Sequence, residues 1–132
     1  MNLFYMSHPV SPKDDETIEG NLARAKRWRK WLVETFPQHA FIAPWIEEIE
    51  IIGSDGTPVE RERGLLRDCA WAARSDAVIL VGGRVGSGGL REGQAAPRIA
   101  DLTALGVEPP YALEGDMLAL LRRDLEGGLR VA

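Results

Sequence analysis

The segment DAVILVGG, residues 76–83, constrains the fold of this chain more than any other feature. Consecutive apolar residues, mostly β-branched, run directly into two glycines, which is the pattern of a buried strand that ends in a turn. A segment with helical periodicity precedes it and another follows it. The segment therefore predicts a strand between two helices, the repeating unit of an α/β fold.

The remainder of the chain continues this alternation. The apolar runs 2–6 (NLFYM) and 39–43 (HAFIA) predict two further buried strands, each followed closely by proline. We expect a fourth strand at 110–113, near an edge of the sheet because of its prolines, and a fifth at 129–131. Residues 45–60 mix isoleucines and glutamates and are compatible with a loop, a short helix or a hairpin.

Helices are predicted where apolar residues recur every three or four positions. The first such series ends at Pro37 and comprises Ile18, Leu22, Ala25, Trp28, Leu32 and Phe36. A second helix, from Glu60 to Arg74, would place Leu65, Leu66, Cys69 and Ala73 on one side. A third would run from Leu90 to Gly106, with a kink or restart at Pro97. A short last helix covers 116–125.

Strands that alternate with helices imply right-handed βαβ crossovers and a mostly parallel sheet. The expected fold is a single α/β domain over residues 1–132: a flavodoxin- or Rossmann-like three-layer sandwich with four or five strands. Ligands of such sheets bind at the carboxyl ends of the strands, near the point where the strand order reverses. The loops at that edge would be 7–16, 44–57 and 82–90.

Composition narrows the possible functions. The 132 residues contain 45% hydrophobic and 27% charged residues, which argues against disorder. The net charge of −4 argues against general nucleic-acid binding, and no apolar run approaches the ~20 residues of a membrane helix. A single cysteine excludes an internal disulfide framework, and we expect a cytoplasmic protein. The basic cluster at 24–30 is expected to be a solvated helix face.

A glycine-rich segment, GGRVGSGG at 82–89, follows the strongest strand. Glycines allow a ligand to approach the backbone closely, and a helix start offers free N–H groups to an anion. Ser87, Gly88 and Gly89 are therefore candidate anion ligands, although a tight turn without a ligand explains the glycines equally well. The segment is neither a Walker loop nor a dinucleotide fingerprint.

Four further side chains are candidates for chemistry. Glu92, in the expected first turn of the helix after the glycines, would either stabilise the helix dipole or project over a bound sugar and act at its anomeric carbon. Asp68 would point to the same strand ends or form a surface salt bridge. Tyr5 would be a core residue or place its hydroxyl in the ligand cavity. His8 would be a surface residue or a ligand contact.

The order of these motifs resembles a known family. A strand ending Tyr-x-Ser-x-Pro, the helix NLARAKRWRKWL, the strand FIAP, the helix RGLLRDCAWAARSD, the strand AVILVGG and the segment SGGLREGQAA follow one another over residues 3–113. This series is similar to the nucleoside 2-deoxyribosyltransferase-like superfamily, and closest to its small bacterial and phage branch. The resemblance implies a flavodoxin-like domain that forms homodimers or higher homo-oligomers.

The resemblance also implies roles for particular residues. Glu92 matches the glutamate nucleophile, Tyr5 the tyrosine that orients it, and Asp68 an aspartate nearby. Ser87, Gly88 and Gly89 resemble the segment that holds a 5′-phosphate in the nucleotide-cleaving branch. The transferases carry acidic residues in this segment, so their absence here favours a phosphorylated ligand. The remaining substrate-binding candidates are Ser7, His8, Trp45 and Gly83.

The leading hypothesis is an N-glycosidase that hydrolyses a (deoxy)nucleoside 5′-monophosphate or nucleoside, with Trp45 or Ile46 stacked on the base. No metal or cofactor is required. One alternative is a nucleoside 2-deoxyribosyltransferase, and another is a non-catalytic nucleotide-binding or sensor module on the same fold. A third is an interaction protein whose oligomer interface is formed by three tryptophans, Trp28, Trp31 and Trp45.

Overall fold

The computed structural model describes residues 1–52, 57–113 and 115–128 and shows an α/β fold. Its four strands form one sheet in which all neighbours are parallel, in the order β2-β1-β3-β4. The strands are β1 (Leu3–Ser7), β2 (Ala40–Ile42), β3 (Ala77–Leu80) and β4 (Ile99–Asp101). The expectation of a mostly parallel sheet with four or five strands is confirmed.

Five α-helices connect and follow these strands. They are α1 (Ile18–Thr35), α2 (Pro44–Ile52), α3 (Pro58–Arg74), α4 (Ser87–Ala95) and α5 (Gly115–Arg123). Local sequence sets several of their starts: the Thr17 and Thr57 hydroxyls accept hydrogen bonds from the free N–H groups of α1 and α3. Pro58 then occupies the first turn of α3, where a missing N–H costs nothing. A 3₁₀ turn (Thr103–Leu105) and a π-helical turn (Asp124–Gly128) complete the described structure.

Strand order determines where the helices lie. The chain moves from β1 to β2 in one direction across the sheet and from β2 through β3 to β4 in the other. Right-handed crossovers therefore place α1 on one face, and α3 and α4 together on the other. The order reverses between β1 and β3, so the expected binding edge is the carboxyl end of these two strands.

Apolar side chains of both helix layers bury the sheet, and the core includes all three tryptophans that were considered for an oligomer interface. Trp28, Trp31 and Trp45 are each at most 7% exposed. The Trp31 ring makes edge contacts with Trp28 and Phe36, so its place outside the main apolar stripe of α1 does not bring it to the surface. The interface hypothesis is therefore wrong for these residues.

The C-terminal part of the sheet differs from the sequence prediction. The fourth strand is Ile99–Asp101, not 110–113, because Pro97 ends α4 and the released chain pairs at once with β3. The expected helix from Leu90 to Gly106 is correspondingly replaced by α4, β4 and the 3₁₀ turn. The fifth strand expected at 129–131 falls outside the described residues.

The structure shows the secondary structure of residues 45–52 and the buried side of α3. Of the three possibilities for 45–60, the structure shows a helix, α2, up to Ile52. The expected apolar side of α3 is partly wrong: Leu65 and Cys69 are half-buried, whereas Leu66 is exposed and the buried residues are Asp68 and Ala72. Asp68 therefore lines the cavity beside Leu65.

The basic cluster of α1 is a solvated and paired helix face. Arg24 and Arg27 both contact Glu108, Lys26 contacts Glu50, and Lys30 contacts Glu34. Among the described residues, no helix is both long and apolar enough to cross a bilayer.

Candidate functional site

A cavity of about 340 Å³ opens at the carboxyl end of β1 and β3, where the strand order reverses. Residues 8–13, the facing residues of α2 and α3, and the start of α4 line it. The volume is within the usual range of small-molecule sites. The topology alone predicts this location.

Glycine allows α4 to approach the sheet. A side-chain Cβ at Gly89 would lie 2.9 Å from the Ser7 Oγ, and one at Gly88 would lie 3.1 Å from the Leu65 side chain. A side chain at Gly89 would therefore displace Ser7 on the sheet, and one at Gly88 would require Leu65 on α3 to shift slightly. The helix begins at Ser87, which places Glu92 in its second turn rather than its first, directly above the end of β1.

Three side chains form the carboxylate floor of the cavity: Tyr5, Ser7 and Glu92. Tyr5 and Ser7 are two residues apart on β1 and so lie on one face of the sheet. The Tyr5 hydroxyl donates to Glu92 Oε2, and the Ser7 hydroxyl donates to Glu92 Oε1 at 2.9 Å. Both carboxylate oxygens are therefore hydrogen-bonded. Glu92 is also buried, with only 6% of its surface exposed.

Opposing effects set the protonation of the floor. Burial raises the pKa of Glu92 to about 7, while the hydrogen bonds from Tyr5 and Ser7 act in the lowering direction. Burial and the adjacent Glu92 charge raise the pKa of Tyr5 well above its usual range, so its hydroxyl stays a donor. The floor thus presents a carboxylate that ionises near neutral pH and is fixed by two neutral donors.

Asp68 and Glu48 form a second group, the acidic wall. Asp68 is 7% exposed, and its Oδ1 has no hydrogen-bond partner in the described structure. Burial, followed by the charges of Glu48 and Glu92, raises the pKa of Asp68 to about 8, and only Arg67 acts in the other direction. A buried carboxyl without donors favours its protonated form, so Asp68 carries a proton at neutral pH.

Glu48 was missed by the sequence analysis. Its Oε1 lies 3.6 Å from the Arg67 Nε, which brings the carboxylate over α3 beside Asp68. A signal was present in residues 45–52: once the segment is helical, positions 45, 48, 49 and 52 share a face, and all four line the cavity. Uncertainty about the secondary structure of 45–60 concealed that face.

His8 also lines the cavity. Its Nδ1 lies 2.7 Å from the Pro9 carbonyl oxygen, so Nδ1 carries the proton, and burial lowers the pKa of the ring to about 4. Gly82 makes room for the ring: its φ is +99°, and a Cβ there would lie 2.6 Å from His8 Cδ2. His8 is thus a neutral and firmly positioned side chain.

The part of the cavity beside the start of α4 carries positive charge and is called the basic end. Its basic residues are Lys13, Arg61 and Arg84. Arg84 Nη2 donates to the Ser11 carbonyl and to Glu16, and this contact holds the pKa of Glu16 at about 2. Gly86, the residue before α4, has no side chain to cap the first N–H groups of the helix. Positive charge and uncapped N–H groups therefore meet at one place.

The predicted site residues separate into three groups. His8, Trp45, Asp68, Ser87, Gly88, Gly89 and Glu92 line the cavity. Tyr5 and Ser7 lie beneath it and hold Glu92. Gly83 lies outside, against Val107, because positive φ angles at Gly82 and Gly83 turn the chain away.

The two residues considered for base stacking also separate. Trp45 lines the cavity, and its indole N–H donates to the Met6 carbonyl at 2.9 Å, which fixes the ring at the end of β1. Ile46 borders a different groove, between α1 and α2, and is not available for stacking. Within the described ranges, no group of three His, Cys, Asp or Glu side chains is placed to hold a metal ion.

Searches against models of known protein families, curated proteins and solved structures found no match to this chain.

Proposed function

We propose that this protein is an N-glycosidase that hydrolyses a (deoxy)nucleoside or its 5′-monophosphate. The observation that carries the proposal is the carboxylate floor, in which the Tyr5 and Ser7 hydroxyls fix both oxygens of the buried Glu92 beneath an open cavity. A fixed carboxylate with a protonated carboxyl nearby is the usual equipment for cleaving a glycosidic bond.

In the first step, a Glu92 oxygen attacks C1′ of the sugar. The C1′–N bond breaks, and its electron pair passes to the departing base. Asp68 gives its proton to that base and becomes a carboxylate, which removes the negative charge from the leaving group. Tyr5 and Ser7 hold the attacking carboxylate throughout, so little reorientation is needed.

In the second step, water replaces the base. The Asp68 carboxylate takes a proton from the water, the water oxygen bonds to C1′, and the C1′–O bond to Glu92 breaks. The products are free base and sugar, or sugar 5-phosphate, and both carboxyl groups return to their starting forms. Only side chains of this chain and water take part.

The basic end supports a phosphorylated substrate. Uncapped N–H groups at the start of α4 favour an anion, and Lys13 and Arg84 add positive charge at the same end. A 5′-phosphate bound there would orient the sugar along the cavity, with C1′ over Glu92 and the base toward α2 and α3.

The test is release of free base from a panel of nucleosides and nucleotides, separated by chromatography. We expect the wild-type protein to release base and Glu92→Gln, which keeps the shape of the side chain, to lose at least about 10³-fold of that activity. Glu34→Gln, an exposed change on α1, is the matched control and should behave as wild type.

Two results would contradict the proposal. One is equal base release by wild type and Glu92→Gln, with both variants shown to be folded by circular dichroism. The other is tight binding of a nucleotide by the wild-type protein with no release of base from any member of the panel, which would favour a non-catalytic nucleotide-binding module.

A further inference from the structure

The inward face of α2 gives the cavity an apolar section beside the Glu48–Arg67 ion pair. Ile49 and Ile52 from α2 and Leu65 from α3 line this section together with Glu48. Apolar side chains suit the flat faces of a nucleobase. The Glu48 carboxylate has acceptor capacity beyond its contact with Arg67, so it can accept a hydrogen bond from a donor on that base.

Glu48 and Asp68 differ in what they offer to a ligand. Glu48 faces Arg67 and is a hydrogen-bond acceptor. Asp68 is more deeply buried, with an unpartnered oxygen and two other carboxyl groups around it, and these surroundings keep its proton in place. The acidic wall therefore presents one acceptor and one donor from adjacent positions on packed helices.

We propose that Glu48 and Asp68 together select an amino-bearing nucleobase, adenine or cytosine, over its oxo counterpart. This inference rests on the proposed function, since it names the leaving base of that reaction. Asp68 would donate to a ring nitrogen of the base, and Glu48 would accept a hydrogen bond from the neighbouring exocyclic amine.

The chemistry of base edges matches this pair. Adenine presents a ring acceptor, N7, beside an amine donor, whereas a 6-oxopurine presents two adjacent acceptors. The oxo group of a 6-oxopurine would face the Glu48 carboxylate, and two acceptors without a proton between them repel each other. The contact with Asp68 is the one through which the leaving base receives its proton, so recognition and catalysis use the same edge.

The test compares 2′-deoxyadenosine 5′-monophosphate with 2′-deoxyinosine 5′-monophosphate, which differ in the amino or oxo group at C6. We expect kcat/KM for base release to favour the amino nucleotide by about 10-fold or more. Glu48→Gln, whose amide is both donor and acceptor, should reduce that ratio to near one, mainly by raising the rate with the oxo nucleotide. Glu47→Gln is the matched control, because Glu47 borders the other groove.

A binding measurement separates failure of this inference from failure of the proposed function. Calorimetric titration of Glu92→Gln with each nucleotide measures selectivity without turnover. Preference for the amino nucleotide that is lost in Glu48→Gln/Glu92→Gln supports the inference even if wild type releases no base. Equal affinity for both nucleotides, binding of neither, or a preference that survives Glu48→Gln would overturn it.

Discussion

The central carboxyl groups of the carboxylate floor and the acidic wall are buried to nearly the same extent but differ in their hydrogen-bond partners and neighbouring charges. Glu92 is 6% exposed and Asp68 is 7% exposed. Two hydroxyl donors hold Glu92, whereas Asp68 Oδ1 has no partner and Glu48 adds a further negative charge beside it. Equal burial therefore supports an ionised carboxylate in one place and a protonated acid in the other.

This difference supports Glu92 as the nucleophile and Asp68 as the acid of the proposed reaction. Burial raises both pKa values, to about 7 for Glu92 and about 8 for Asp68, but only Glu92 has hydroxyl donors that act in the lowering direction. The two groups also interact, and the pair titrates as a unit. The active form, Glu92 ionised and Asp68 protonated, is most populated between about pH 7 and pH 8. Environments that separate two carboxyl groups in this way are typical of glycosidases.

After the loss of Glu92 itself, the largest expected effect comes from removing the proton of the acidic wall. Asp68→Asn keeps the shape of the side chain but cannot protonate the base, so kcat should fall by about 10²–10³-fold. The alkaline limb of the pH profile of kcat should disappear with it, whereas the acidic limb, which belongs to Glu92, should remain. Asp116→Asn, an exposed change on α5, is the control. Retention of the alkaline limb would contradict the assignment of Asp68.

A smaller effect is expected when the floor loses one of its donors. Tyr5→Phe removes the hydrogen bond to Glu92 Oε2, and loss of a hydrogen bond to a charged group costs about 1.5–3 kcal/mol, or roughly 10- to 100-fold in kcat/KM. Because that bond lowers the pKa of Glu92, the acidic limb should move to higher pH. Ser7→Ala should move the same limb in the same direction. A limb that does not move would show that these hydroxyls are only structural.

The smallest effect concerns stability. The pKa of Asp68 is raised in the folded state, so its proton stabilises the fold below pH 4, and this contribution is lost as the pH rises to about 8. Asp68→Asn removes that loss, so the free energy of unfolding of the variant should exceed that of wild type at pH 8.5 by more than about 1.4 kcal/mol, the equivalent of a ten-fold change in proton affinity, and should match it at pH 4. Urea unfolding at the two pH values measures the difference, and an equal difference at both would contradict it.

The sequence was sufficient to place Tyr5 and Glu92 at the same edge of the sheet, but not to predict β4 or the position of Glu48. The sequence made Tyr5 and Glu92 candidates because strand and helix patterns place them at one edge of a parallel sheet, the family resemblance implied that they pair, and the structure shows the hydrogen bond between them. It did not predict β4, because a proline inside an apolar helical pattern does not show whether the chain kinks or ends its helix. The position of Glu48 could not be predicted either, since the residues that share a helix face are defined only once the segment is known to be helical.

The rotation of α3 illustrates the same limit. Its apolar pattern favoured Leu65 and Leu66 as inward residues, but in the fold Asp68 and Ala72 are buried and Leu66 is exposed. Hydrophobicity alone orients a helix toward the most apolar side, whereas a binding site needs a polar group inside. The apolar pattern therefore misplaced Leu66, while Leu65 lines the cavity together with Asp68 of the acidic wall.

The most direct test of the central claim is a mass measurement of the protein after incubation with a 2′-fluoro-2′-deoxyarabinosyl adenine nucleotide. The fluorine destabilises the positive charge that develops on the sugar in both steps, so hydrolysis of the sugar–Glu92 bond is slow and the sugar should remain attached. We expect the protein mass to increase by that of one sugar phosphate, on the peptide that contains Glu92, and no increase in Glu92→Gln. Release of adenine with the sugar attached to another residue, or with no attached sugar at any time of incubation, would contradict the account.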